Sequence, residues 1–375
     1  MKILLTGGGT GGHFYPIIAI ATAIRAVARE EKVIAPQIYY MAETRYDSRV
    51  LFDNEIIFVP VSAGKIRNYF SILNFFDLFK TAWGAIRATI DMFSIYPDVV
   101  FGKGGYVSFP ALFAARILRI PVIIHESDST PGKVNKWASK FAQKIAVSYK
   151  EAADDFPPGK VAFTGNPIRS ELITPLKNGA HEFLKLDPDI PTLLIIGGSQ
   201  GSQIINDTIL DILPSLIEKY QVIHQTGKNN FTDVSGRASI ILQKNPMKER
   251  YHPYDYLNVL AMRMVAGIAE LAISRAGSTV FEIACWGIPS ILIPIEKSNG
   301  DHQRKNAFSY AREGGAVVLE EPNLTPHVLL GEITRLMDSK QIRERMSLSA
   351  KSFAHIDSAV IIAKEIVSIA LRHEN

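Results

Sequence analysis

A single cysteine in 375 residues, Cys285, excludes an intramolecular disulfide and any cysteine-ligated zinc or iron–sulfur cluster. Its setting in the apolar run IACWG reads as core, and so sparse a use of thiols fits a reducing cytoplasm. Long hydrophobic runs are missing too. No stretch holds the roughly 18 uninterrupted apolar residues that a membrane-spanning helix takes, so any membrane contact is expected to be peripheral. The opening MKILLTGGG has one lysine and too short an apolar stretch for a signal peptide, and reads as a first strand. Charge of one sign is scarce: a net +4 permits an anionic surface or substrate but does not mark a nucleic-acid binder. No paired acidic motif for a metal stands out, and no metal or redox cofactor is expected.

What is present is the composition of a globular α/β protein, long enough for two domains each with its own core. KILLT, then GGGTGGH, then a periodic apolar stretch from Pro16 to Val27 reads as strand, glycine turn and helix. Short apolar runs at Gln37–Met41, Ile56–Val59, Asp98–Phe101, Pro121–His125 and Lys144–Val147 continue one parallel sheet. The segment FTGNPIRSEL breaks both helix and strand and suits a crossing between halves. The pattern then restarts: TLLIIGGSQGSQIINDTIL repeats strand, glycine turn and helix, and strands are expected near Gln221–His224, Ala238–Leu242, Leu271–Ser274 and Ser290–Ile293. We expect two doubly wound halves: residues 1–163, residues 164–351, and a terminal helix within 352–375 that crosses back onto the first. Glycine turns at the carboxyl ends of their strands would line one cleft.

Gly7, Gly9 and Gly12 fit the G-x-G-x-x-G spacing, and Glu43 could serve as the ribose acid of a nicotinamide enzyme. That reading leaves the second glycine turn unexplained. Gly197 to Gly201, with Ser199 among them, stands between strand and helix, where unpaired N–H groups and the helix dipole favour a phosphate; a tight turn without ligand is the plain alternative. In ISRAGSTVFEIACWGIPSILIPI, Glu282 follows a small-residue turn and could accept from both ribose hydroxyls. Thr279 and Glu282 equally fit a capping box that needs no ligand.

Together GGGTGGHFYP, GGYVS, HES with PGKVNKW, TGNPIR, GGSQG, SRAG with its glutamate, and DHQRKNA resemble the motifs of the MurG family, in family order from Thr6 to Ala307. That family comprises UDP-N-acetylglucosamine:N-acetylmuramoyl-(pentapeptide) pyrophosphoryl-undecaprenol N-acetylglucosaminyltransferases of glycosyltransferase family 28. The resemblance implies a GT-B fold, the donor UDP-N-acetylglucosamine in the C-terminal half, and a polyprenyl-linked acceptor, lipid I, in the N-terminal half. The product would be lipid II for peptidoglycan, made at the cytoplasmic face of the cell membrane, where other cell-wall synthesis proteins are conceivable partners. By position it places Thr10, Gly11 and Gly12 near the transferred sugar and diphosphate, and Arg169 and Ser199 on the donor. Gly277, Ser278, Thr279, Val280, Phe281 and Glu282, with Gln303, would frame the nucleotide and sugar. The uracil contact near Val259 aligns poorly. Two positions depart from the family pattern: Asp128 replaces a common asparagine, and Phe109 a glycine. A carboxylate near a diphosphate is repelled, so Asp128 should point away, pair with a cation such as Lys133, or contact hydroxyls only.

Transfer with inversion takes a base for the acceptor hydroxyl and a site that stabilises departing UDP. The helix N-termini with Arg169 can do the second without a metal. For the first, His13 is the leading candidate because a histidine ordinarily titrates near neutrality, though it could instead simply hydrogen-bond the loop or a phosphate. Glu126 and Asp128, after the strand PVIIH, are the alternative carboxylates, and His125 reads as structural. Gln303 and Asn306, in a polar stretch taken to precede a helix, can orient sugar hydroxyls or merely start that helix. From Lys65 to Arg87 the sequence mixes Phe75, Phe76, Phe79 and Trp83 with basic residues, as in a helix lying on a lipid surface; an ordinary core helix with Phe75, Phe79 and Ala82 inward is the competing reading. Another UDP-sugar transferase of the same fold, or a nucleotide-sugar-binding module without turnover, would share many of these features.

Overall fold

A computed structural model describes residues 1–8, 10–64, 73–198 and 201–374. The chain divides into two compact units, Met1–Arg169 with His355–Asn375, and Ser170–Ala354.

The first unit holds seven strands: β1 (Lys2–Thr6), β2 (Gln37–Ala42), β3 (Ile56–Pro60), β4 (Val99–Gly102), β5 (Val122–Glu126), β6 (Lys144–Val147) and β7 (Val161–Phe163). All pair in parallel, in the order β3-β2-β1-β4-β5-β6-β7. β4 and β5 are buried along their whole length, as sheets covered on both faces demand, and this is why they read as unbroken apolar runs. One face is covered by the helix Gly11–Glu30, whose Phe14, Ile17, Ile20, Ile24 and Val27 are all buried. That helix is long and apolar enough to cross a membrane by length and composition, yet 67% of the qualifying stretch is buried within the unit. It is a core helix. Beside it packs the helix Ser358–Glu374, whose Ile362, Ile366, Val367 and Ile369 join the same core. Each such side chain stabilises by about 1.5–3 kcal/mol on full burial.

The second unit holds β8 (Thr192–Ile196), β9 (Gln221–Gln225), β10 (Tyr251–Tyr254), β11 (Ala269–Ser274), β12 (Ser290–Leu292) and β13 (Ala316–Val318). They too are parallel, in the order β10-β9-β8-β11-β12-β13. One expectation fails here. Ala238–Leu242 is not a strand: most of it closes the helix Phe231–Ile241, while the strand at this place in the sheet is β10. A short apolar run is ambiguous in period, and Pro253 disguised the real strand; β10 lies at the sheet edge, where a missing N–H is tolerated.

In both sheets the strand order reverses between the first strand and the fourth, β1 beside β4 and β8 beside β11. In open α/β sheets ligands bind outside the carboxyl ends of the strands at that reversal.

Candidate functional site

In the first unit, Gly7 and Gly8 leave β1 and Lys103 to Gly105 leave β4, at the reversal; Gly9 lies outside the described residues, and Gly11 and Gly12 begin the helix that follows. The two turns touch: a Cβ on Gly7 would stand 2.8 Å from that of Lys103, so only glycine permits this approach. Tyr40 donates to Gly7 O at 2.7 Å and Thr6 Oγ1 to Met41 O at 2.8 Å, which fixes the turn against β2. Thr10 is the N-cap of the Gly11–Glu30 helix and is exposed, with Gly11 and Gly12 opening the first turn. Half-buried His13 follows in that turn; a Cβ on Gly105 would stand 3.8 Å from its Nε2, so the imidazole lies beside the β4 turn. Arg169 lies over the ring of Tyr15, from the same helix, at 4.1 Å, a cation–π contact that limits where the guanidinium can go. Glu43, the acid a dinucleotide site would use on ribose, is instead paired with Lys80 and accepts from Tyr106 Oη at 3.3 Å.

At the end of β5, Glu126 is buried and accepts from Asp128 N at 3.1 Å, Gly132 N at 3.0 Å and Asn135 Nδ2 at 2.8 Å. Burial, with the charge of Asp128, holds its carboxyl above the usual range. Three donors on one carboxylate describe a loop anchor. Asp128 is half-buried, and its charge acts on Lys103. Phe109 packs against Trp137 at 4.9 Å between ring centroids.

Lys103 is the residue sequence reasoning missed. It is 1% exposed, and its Nζ meets His125 Nδ1 at 2.8 Å, Asn166 Oδ1 at 3.0 Å and Ser127 Oγ. Burial pushes its pKa down to about 7, against the opposing pull of Glu126 and Asp128. His125 is fully buried and held well below its ordinary value, first by burial and then by Lys103. Its Nε2 faces Gly165 O at 3.0 Å, and a carbonyl only accepts, so Nε2 carries the proton and Nδ1 is the acceptor for Lys103.

In the second unit, Gly197, Gly198 and Gly201 connect β8 to the helix Gln203–Lys219; Ser199 and Gln200 lie outside the described residues. Gly201 has φ +77°, and a Cβ there would fall 2.0 Å from Thr226 O. A histidine that sequence reasoning also missed braces this turn. Buried His224 donates from Nε2 to Asn206 Oδ1 at 3.0 Å and accepts from Tyr251 Oη at 2.9 Å, while Asn206 Nδ2 donates to Thr226 O at 3.1 Å. Burial lowers the His224 pKa to about 3, so the ring is neutral.

After β11, Gly277 and Ser278 lead into the helix Thr279–Trp286, which carries Val280 and Phe281 inward and Glu282 half-buried. Thr279 is the first helical residue, not the N-cap, so the Thr279–Glu282 capping box does not form. Gln303 and Asn306 lie inside the helix His302–Arg312 rather than ahead of it. Gln303 Oε1 accepts from Ile295 N at 3.2 Å; Asn306 is buried and donates to Ala276 O at 3.3 Å, bracing the turn that precedes Gly277. Cys285 is half-buried, its thiol 3.6 Å from Ile173 O and pushed up to about 11 by burial. Among the described residues, no group of three or more His, Cys, Asp or Glu is placed to hold a metal.

Of the aromatic segment, residues 65–72 lie outside the described residues; the rest is the helix Leu73–Ile95. Ala85, Ala88 and Met92 form its buried stripe, whereas Phe75, Phe76, Phe79 and Trp83 are 60, 64, 60 and 63% exposed and Ala82 is exposed as well. The inward placement of Phe75, Phe79 and Ala82 is therefore not what the helix adopts. Leu78, Ile86, Ile90 and Phe93 extend the outer apolar face.

The chain matches the glycosyltransferase family 28 N-terminal domain over residues 3–147 and the family's C-terminal domain over residues 192–360. It is 37% identical over 357 residues to the UDP-N-acetylglucosamine--N-acetylmuramyl-(pentapeptide) pyrophosphoryl-undecaprenol N-acetylglucosamine transferase of Clostridium novyi, covering 94% of this chain and 95% of that one. The enzyme of the same name from Treponema denticola is 34% identical, covering 98% and 96%. Among solved structures, MurG of Acinetobacter baumannii superposes with a TM-score of 0.73 at 25% identity, over 98% of this chain and 99% of that one. A UDP-GlcNAc 2-epimerase from Neisseria meningitidis, at 16% identity and TM-score 0.69 over 98% and 100%, shares the fold alone.

Proposed function

The chain belongs to glycosyltransferase family 28, and from that premise we propose that it transfers N-acetylglucosamine from UDP-N-acetylglucosamine to the muramoyl 4-hydroxyl of a pentapeptide-bearing pyrophosphoryl-undecaprenol, with inversion. The observation that carries this reading is similarity over nearly the full length to relatives named for that reaction, in a chain with a glycine turn at the strand-order reversal of each sheet.

The inserted unit receives the donor. Glu282 accepts from the ribose hydroxyls, the turn from Gly277 to Phe281 and Gln303 frame nucleotide and sugar, and the Gly197–Gly201 turn, Ser199 included, takes the diphosphate. Thr10, Gly11 and Gly12 at a helix N-terminus, with Arg169 steadied by Tyr15, stabilise charge as UDP departs. Asp128 contacts hydroxyls and keeps away from the diphosphate. His13 takes the acceptor proton; it sits beside the β4 turn, whereas Glu126 is occupied by three donors. No step calls for a metal or a redox cofactor. The outer face of the Leu73–Ile95 helix, with Phe75, Phe76, Phe79 and Trp83, rests on the cytoplasmic surface of the membrane that holds the acceptor.

The test is UDP release from UDP-N-acetylglucosamine, UDP-N-acetylgalactosamine and UDP-glucose, with and without a short-chain lipid acceptor. Acceptor-dependent release selective for the first, lost by about 10²–10⁴-fold in His13→Ala, is the expected result. Turnover of another UDP-sugar, indifferent to the acceptor, would overturn the substrate assignment.

A further inference from the structure

A lysine is an expensive residue to bury among neutral partners, and Lys103 is surrounded at contact distance by a ring nitrogen, a hydroxyl and an amide oxygen. An ammonium has three protons and no acceptor, and His125 Nδ1 and Asn166 Oδ1 are both acceptors. A methionine of similar length would fill the space without that desolvation cost, so packing alone does not account for the amine. What the amine adds is connection. It joins the turn after β4 to His125 at the end of β5, to Ser127 in the loop that follows, and to Asn166 in the segment approaching the chain's departure from this unit. The same turn lies against Gly7 of the first glycine turn. Because Ser127 Oγ accepts from Lys103, its own proton is directed to some other acceptor.

We propose that Lys103 is a positioning residue for glycosyl transfer, its ammonium fixing Ser127 and the Glu126–Asp128 loop in register with the glycine turn that opens the Gly11–Glu30 helix. The proposal rests on the functional reading above. The titratable groups around the ammonium are His125 of β5, Glu126 and Asp128 at and after its end, and, through His125, His13 of the Gly11–Glu30 helix. The ammonium opposes protonation of His125, and the two carboxylates favour the charged amine.

The test uses Lys103→Met and Ser127→Ala in the full chain. Acceptor-dependent UDP release is followed from pH 6 to 9 with kcat and both KM values, and thermal melts are taken without substrate over the same range. We expect the wild-type kcat to fall on the alkaline side as the amine deprotonates, and Lys103→Met to lose at least about tenfold in kcat, with donor KM within about twofold, and to lose that fall. Ser127→Ala is expected to lose about three- to tenfold in kcat in the same direction. Wild-type kcat and pH profile in both variants, per folded molecule, would reduce Lys103 to a space filler and overturn the proposal. If Lys103→Met does not fold, Ser127→Ala decides on kcat alone: a wild-type kcat per folded molecule overturns the proposal.

Should the wild type show no acceptor-dependent release, the functional reading fails first, and the melts still judge the cluster. With the folded pKa lowered, the unfolded chain binds more protons between about pH 7 and its ordinary value near 10, so stability rises with pH in that window. The wild-type melting midpoint should climb relative to Lys103→Met from pH 7 to 9; a constant difference would refute the buried amine itself.

Discussion

Replacing Phe79 and Trp83 together by serine should release the protein from lipid. Aromatic side chains bury about 150–250 Å² each, and these two are 60 and 63% exposed, which leaves roughly 120 Å² apiece for lipid to cover. At about 25 cal/mol per Å², complete immersion would contribute about 3 kcal/mol per ring, and half-immersion at the headgroup boundary about 1.5. The pair is thus worth about 3 kcal/mol, or roughly two orders of magnitude in vesicle partitioning. Cosedimentation with phosphatidylethanolamine–phosphatidylglycerol vesicles measures it directly. Leu348→Ser, at a residue 70% exposed in the other unit, is the control and should change nothing. The described part of the helix carries Asp77, Lys80, Arg87 and Asp91, with Lys80 paired to Glu43 and Arg87 3.7 Å from Asp91, so its electrostatic contribution is small. Raising salt from 0.1 to 0.5 M should therefore weaken binding less than about threefold. Partitioning of the double variant within a factor of about three of wild type would refute the apolar account, and a steep salt dependence would transfer the binding energy to charge.

Three further outcomes follow from the sites. Glu282→Gln removes the charge from an acceptor of two hydroxyls and should raise the donor KM about 10- to 100-fold with kcat little changed; isothermal titration with UDP checks it, and unaltered affinity counts against the ribose role. Gly201→Ala places a Cβ at φ +77° and against Thr226 O, so we expect at least about 2 kcal/mol of lost stability and a melting fall of about 4 °C or more; a midpoint within about 1 °C of wild type would contradict the backbone geometry. Transfer should survive EDTA and proceed without added divalent ions, and a loss reversed by Mg²⁺ would require a metal-assisted departure of UDP instead.

Most of the architecture is legible in sequence because parallel strands covered on both faces are written as short unbroken apolar runs, and the glycines stand where each strand must turn tightly into a helix. The run ASIIL defeats that logic, since five apolar-rich residues satisfy either period and the surrounding helix decides. The positions of Glu282 and His13 beside their turns are readable from sequence. Lys103 is not. In GKGGYVS it looks like an ordinary exposed cation, and its burial depends on acceptors 22, 24 and 63 residues away, a coincidence that only the folded chain assembles. His224 is hidden for the same reason: its partners lie 18 and 27 residues off, and nothing local marks it as neutral. Phe75 and Phe79 illustrate a different limit, because helical spacing tells which residues share a face but not which face turns inward.

Gly165 O accepts from Ser358 Oγ at 2.9 Å as well as facing His125 Nε2, and the Ser358–Glu374 helix lies on the Gly11–Glu30 helix. The first unit is therefore sewn shut by a piece of chain that follows the entire second one. On the ribosome, the inserted unit is fully synthesised while its host still lacks a wall. Ile17, Ile20 and Ile24 wait beside a gap that Ile362, Ile366 and Ile369 fill only as synthesis nears its end. Synthesis thus makes the inserted unit, Ser170–Ala354, whole before the first unit receives the last helix of its core.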